Sequence, residues 1–231
     1  MRLRSVTKNV KDQNWLAVAL DFFIVVTGIL IAFQITNWSE TRQDRTREQQ
    51  IVSRLHADFE ALGRRTEEKI EYFESSINEI EEFRQLIINY PESADIQQIK
   101  VFFETSFNLP SPSGQSDTYA QLVASGDMKL LSNDTLRDEL VSHAALTGQF
   151  MSGNQSVREW SRPYLTALVR LGALIEEMAM DEAVAMSGSK ADLIVGINLY
   201  QGVFAGQLSV NKSHQESFAK LIKMLAEESS K

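Results

Sequence analysis

The sequence predicts an all-α protein: a single N-terminal transmembrane helix continuing into a helical bundle. Three observations predict it. Between Trp15 and Trp38 runs LAVALDFFIVVTGILIAFQITN, an almost unbroken apolar stretch bracketed by indole rings. Beyond it, apolar residues recur at helical spacing from Ile51 to Ile87. Nothing reads as a strand, and the β-branched runs that exist lie inside the first apolar stretch.

A membrane span needs about 20 mostly apolar residues, and indoles favour the water–lipid boundary. Residues 15–38 therefore read as the span, 1–14 as a short basic tail and 39–231 as a helical soluble domain. A cleavable signal is not expected. Its apolar region would run only about 7–15 residues, and no small-x-small site follows Gln34-Ile35-Thr36-Asn37. Trp15 and Trp38 are the expected interfacial anchors.

Orientation rests on few charges. The tail carries Arg2, Arg4, Lys8 and Lys11, against Arg42, Arg45 and Arg47 just past the span. The positive-inside rule counts Lys and Arg and gives acids little weight. The expected arrangement is a single-pass protein of a bacterial inner membrane, N terminus cytoplasmic, bulk of the chain periplasmic. The chain has no cysteine, which fits a disulfide-free periplasmic domain without excluding the cytoplasm.

Charge narrows the partners. Of 23 Lys+Arg and 31 Asp+Glu, residues 1–38 hold four and two, which leaves 19 bases against 29 acids in the soluble part. That excess of ten acids argues against nucleic acid and against lying flat on anionic lipid.

After the span, apolar residues fall at Ile51, Leu55, Phe59, Leu62, Ile70, Phe73, Ile77, Ile80, Phe83 and Ile87, with Thr66 filling one position. Ten steps over 36 residues average 3.6, the period of a straight amphipathic helix rather than the 3.5 of a left-handed supercoil. With no Pro or Gly between Trp38 and Ala61, the span is expected to continue into this helix as a stalk. Glu67-Glu68 and Glu81-Glu82 read as its solvated face, and Pro91 ends it.

A short helix is expected over Ala94–Phe107, with Ile96, Ile99, Phe102 and Phe103 inward. Leu109–Asp117 (LPSPSGQSD) reads as a surface loop. Asp117 can cap a helix that ends at Gly126 in a left-handed conformation, and Asn133 can cap the next, with Leu136, Leu140 and Val141 buried. That helix is expected to run through Phe150 to Trp160 and to be interrupted at Pro163. Helical pattern covers Tyr164–Met180, and Met186–Lys190 reads as a turn. A last long helix over about 191–228 carries Leu193, Ile197, Phe204, Leu208, Phe218 and Leu225 on one side. Two long helices with shorter elements between them make a bundle.

Two segments carry a resemblance. Leu20–Gln43 (LDFFIVVTGILIAFQITNWSETRQ) resembles the opening of an uncharacterised bacterial family of membrane-anchored proteins, with Asp21 as the acid, Gly28 as the glycine and Asn37-Trp38 as the closing pair. Thr118–Leu140 is similar to that family's helix–turn–helix with Ser-Gly at the bend. The resemblance implies an anchor plus a helical domain and supplies no activity.

Catalytic signals are lacking. The three histidines, His56, His143 and His214, are scattered in sequence, and there is no H-E-x-x-H, Gly-rich phosphate loop or G-x-S-x-G. Glu139 with His143 reads as a surface pair at i, i+4 rather than a di-iron ligand set. No enzyme activity, no metal and no cofactor are expected. Two classes remain: an anchored interaction or scaffold protein, as a homo-oligomer or a subunit of a membrane complex, and a periplasmic ligand-sensing bundle that signals through a partner. The tail is too short for a signalling domain and EESSK at the end is polar, which favours the first. Expected partners are the bilayer through residues 15–38 and another transmembrane helix, self or partner subunit.

The span itself carries the candidate contact. At about 100° per residue, Ala17, Val25, Gly28 and Ala32 all lie within about 40° of Asp21 on the helix circumference, and Leu30 lies opposite. Gly28-x-x-x-Ala32 is the small-x-x-x-small spacing that admits a second helix backbone. An acid at a span's centre costs about 2.5–3.5 kcal/mol on translocon scales, so Asp21 is expected to face protein or water. Ala17, Asp21, Gly28 and Ala32 are the expected membrane helix-packing residues; the alternative is that Asp21 sits shallow and reaches headgroup water.

Overall fold

The computed structural model describes residues 15–91, 96–105 and 108–230. The basic tail 1–14 lies outside the described residues, as do the side chains of 15–18, and with them the readings placed on Trp15 and Ala17. The chain divides into two compact units, one up to Gln49 and one from Gln50. Among the described residues there is helix and no strand. In order these are α1 (Trp15–Ile88), α2 (Ile96–Thr105), α3 (Asp117–Ser125), α4 (Asp134–Ser161), α5 (Thr166–Leu174), α6 (Met180–Ser187) and α7 (Lys190–Ser229), with 3-10 turns at Asp127–Leu130 and Arg162–Leu165.

In the first unit, α1 shows apolar side chains on every side: Phe22, Phe23, Ile29, Leu30, Phe33 and Ile35 are all more than half exposed. A helix that is apolar all round is stable only where lipid or protein surrounds it. Among the described residues two helices are long and apolar enough to cross a membrane: Ala19–Ile88, whose apolar window is wholly exposed, and Lys190–Ser229, whose window is one-third buried.

The second unit packs three long segments side by side. Phe59 meets Phe218 at 6.0 Å and Phe73 meets Phe204 at 5.2 Å, so residues 52–87 of α1 and α7 run antiparallel. His143 meets His214, and Asn154 meets Gln207, so α4 is also antiparallel to α7. One apolar core joins Val52, Leu55 and Phe59 of α1 to Leu136 and Leu140 of α4 and Phe218, Leu221 and Leu225 of α7. The other joins Phe73, Ile80 and Phe83 of α1 to α2, α5, α6 and Leu193–Phe204 of α7. Phe83 stacks on Phe102 of α2 at 4.1 Å. Burying one such ring contributes about 1.5–3 kcal/mol, so the ring-rich seams hold the bundle.

Burial corrects the period. On α1 the buried positions are Val52, Leu55, Phe59, Leu62, Thr66, Phe73, Ser76, Ile80, Phe83 and Ile87, with Gly63 buried beside Leu62 and set aside in the count, and with Lys69 half-buried between Thr66 and Phe73. Steps of three and four alternate, ten of them over 35 residues, a mean of 3.5. That is the spacing of a seam shared by supercoiling helices. Counting apolar residues alone picked Ile51 and Ile77, which are only half-buried, over Val52 and Ser76, which face the seam.

The elements follow local chemistry. Gly126 sits at φ +74°, and its N–H reaches Leu122 O and Val123 O, closing α3. Asn133 accepts from Leu136 N at 3.1 Å and opens α4. The cap of α3 is Ser116 rather than Asp117: its Oγ accepts from Tyr119 N at 3.1 Å, and it donates to Asp58 Oδ2 at 2.7 Å. Pro163 converts the end of α4 into a 3-10 turn before α5. Helix is interrupted again after Leu174, short of the expected Met180, and α6 follows. Ser189 and Asp192 form a reciprocal capping box that starts α7.

Three smaller readings change. Ile96 and Val141 are exposed rather than inward. Leu208 is half-buried, and Gln207 takes the seam position beside it. The Pro/Ser loop is not all surface: Ser113 is buried, 2.8 Å from Thr66 Oγ1, and accepts from Lys69 Nζ at 3.0 Å.

Candidate functional site

Between the two apolar cores the three-helix seam turns polar. Thr147 and Asn154 on α4, and Gln207, Asn211 and His214 on α7, occupy seam positions where leucine or phenylalanine stands elsewhere. His143 precedes them on α4, and its ring lies 4.8 Å from that of His214, nearly parallel at 14°. Phe59, Phe150 and Phe218 close around the pair. The histidines read as scattered in sequence are therefore two in contact and one, His56, elsewhere, where it faces Glu60.

The surface pair expected of Glu139 and His143 does not form. Glu139 is bound to Lys220, and His143 is 3 % exposed with Nδ1 2.8 Å from Ser217 Oγ. One helical turn separates Glu139 from His143, but only the lysine side chain offers the carboxylate a full charge.

Hydrogen bonding fixes one tautomer. Thr147 Oγ1 spends its only proton on His143 O at 2.9 Å, and it also lies 2.9 Å from His214 Nε2. His214 Nε2 must therefore carry the hydrogen and donate, which leaves Nδ1 bare. Among the described residues His214 Nδ1, His143 Nε2 and Asn211 Oδ1 are buried without a hydrogen-bond partner. Burial, and then its stacked neighbour, lower His143 to about 4. Burial, and then the Lys69 ammonium, lower His214 to about 4. Both rings are neutral near pH 7. No set of three His, Cys, Asp or Glu side chains suited to a metal occurs among the described residues.

Beside the polar layer, α4 and α7 diverge into an open groove of about 640 Å³. Leu146, Phe150, Val157, Leu199, Val203 and Val210 form its walls, and Trp160 stands at its edge. Gly153, Gly202 and Gly206 line it, and a Cβ added at any of them meets nothing within 4 Å. Asn154 and Gln207 are its buried polar floor.

Of the residues singled out in the span, Asp21, Gly28, Ala32 and Trp38 are all exposed. Gly28 has open space where a Cβ would stand. The Arg42 guanidinium lies 5.7 Å over the Trp38 ring, a cation and an indole at the end of the apolar run. No periodicity count could find the groove or the histidine pair, since both depend on which helix faces which. The available signal was polar residues at seven-residue intervals, Thr147 with Asn154 and Gln207 with His214.

Residues 21–145 match the model of a family of unknown function, DUF6090, and the chain belongs to that family. The match opens at Asp21 in the apolar run and closes within α4, short of α7. No match was found among curated proteins or among solved structures.

Proposed function

We propose that this member of the DUF6090 family is a membrane-anchored interaction or scaffold protein without catalysis of its own. In this reading residues 15–38 fix it in a bacterial inner membrane, with the tail cytoplasmic and the bundle periplasmic. It works as a homo-oligomer or as a subunit of a membrane complex. The observation that carries the reading is the first part of α1, where apolar side chains are exposed on every side and an acid stands in line with a small-residue stripe. Lipid satisfies the apolar faces, whereas an acid inside a span is costly unless it finds protein or water. A neighbouring span that donates a hydrogen bond to Asp21 and packs on Gly28 and Ala32 satisfies both.

The test is affinity purification of the full chain from gently solubilised membranes, with sizing and identification of what accompanies it. The reading expects a defined oligomer or a fixed-stoichiometry partner. A monomer with no companion at every detergent level contradicts it.

A further inference from the structure

We infer that the groove between α4 and α7 binds an uncharged amphiphile, an acyl ester or comparable carbonyl compound, whose carbonyl accepts a hydrogen bond from Gln207. This goes beyond the association of the span, and neither depends on the other.

The groove has the size of a small-molecule site, which runs about 300–1,000 Å³, and its apolar walls with few polar groups fit that class. None of its lining residues is charged, so a free carboxylate or an ammonium would lose its hydration without a counter-charge. The ligand's body is therefore neutral.

The polar floor states which atom the ligand must bring. Arg158 can only donate, and its Nε donates to Asn154 Oδ1 at 2.9 Å. Asn154 must then turn its nitrogen the other way, where Nδ2 donates to Gln207 Oε1 at 3.3 Å. Gln207 in turn must present Nε2. The guanidinium thus orients both amides, and the relay ends in an N–H group with no hydrogen-bond partner among the described residues. Gln207 is 6 % exposed and lines the groove, so that group is reached from the groove. Nε2 is open to the groove rather than sealed in, and a ligand acceptor there takes the place of water.

Glycines keep the volume open. A side chain at Gly206 enters the groove without meeting neighbours within 4 Å of its Cβ, so Gly206→Leu fills the site while the bundle stays intact.

The test uses the full chain in phosphatidylcholine nanodiscs and the glycerol ester of 8-bromooctanoate as probe, read by quenching of tryptophan emission by bromine. Trp160 borders the groove, so the signal of the site is the part lost in Trp160→Phe. The ester should quench that part saturably. Free 8-bromooctanoate should bind on the order of tenfold more weakly. Gly206→Leu should abolish saturable quenching, and Gln207→Glu, which turns the donor into an acceptor, should weaken it on the order of tenfold. Circular dichroism melts report whether both variants remain folded. Quenching that is linear, or identical in parent and Gly206→Leu, overturns the inference. So does absence of quenching together with a dimer crosslinked through Gly202→Cys, which would make the groove an interface between copies.

Discussion

His143 and His214 show how a single residue's surroundings become a property of the molecule. Each ring is held near pKa 4 in the fold, against 6.5 for an ordinary histidine, chiefly because burial penalises the charged form. The Lys69 ammonium opposes protonation of His214, and His214 opposes protonation of His143. Between those values the unfolded chain takes up protons that the folded chain refuses. The stability contributed is thus full above about pH 6.5 and is lost as pH falls toward 4. The melting temperature should drop by on the order of 5 °C from pH 7 to pH 5. His143→Gln and His214→Gln should flatten that dependence; a parent profile already flat over this window contradicts the assignment. Gly126 is the other residue whose backbone decides something. At φ +74° an L side chain is strained, so Gly126→Val should destabilise the protein by more than about 1 kcal/mol. An unchanged melting temperature would show that α3 does not close there.

At the scale of elements, helix ends were legible and helix faces less so. Gly126, Asn133 and Pro163 act through their own backbone or the next turn, and the chain folds at each as those local rules require. The cap of α3 falls on Ser116, one residue before the expected Asp117, and it is tied to a distant element. Asp58 lies on α1, and its carboxylate accepts from both Ser116 Oγ and Thr118 N, at 2.7 and 3.0 Å. Burial works to raise Asp58, but the hydrogen bonds from Thr118 and Ser116 outweigh it and hold it below the usual carboxylate range. Asp58→Ala should therefore cost about 1–2 kcal/mol, and Asp58→Asn, which keeps an acceptor, should cost less. Equal melting for all three proteins would remove Asp58 from the cap. The helix faces depend on partners. Thr66 and Ser76 belong to the seam of α1 although neither is apolar, and Gln207 displaces Leu208 on α7 for the same reason. A count of apolar residues returns the period of an isolated helix, whereas burial returns the period of the assembled seam. The groove was illegible for a related reason: its glycines and amides come from α4 and α7 about 50 residues apart, and nothing in either stretch announces the other.

For the whole molecule, the central claim is that the apolar start of α1 is a span that associates through one face, with the acidic bundle held across the membrane. Topology has a direct check, because the sequence contains no cysteine. Ser111 is exposed in the loop before α3, and Ser111→Cys should react in intact cells with a thiol reagent that reaches the periplasm but cannot cross the inner membrane. Labelling only after lysis would reverse the orientation. Association is tested most directly by in-membrane crosslinking of the full chain through a cysteine introduced in the span. Gly28→Leu should weaken crosslinking by steric exclusion, Asp21→Ala should weaken it by removing the polar contact, and Leu30→Ala, on the opposite side, should leave it at the parental level. Crosslinking equal in all three variants and the parent would contradict the claim and leave the span an anchor alone.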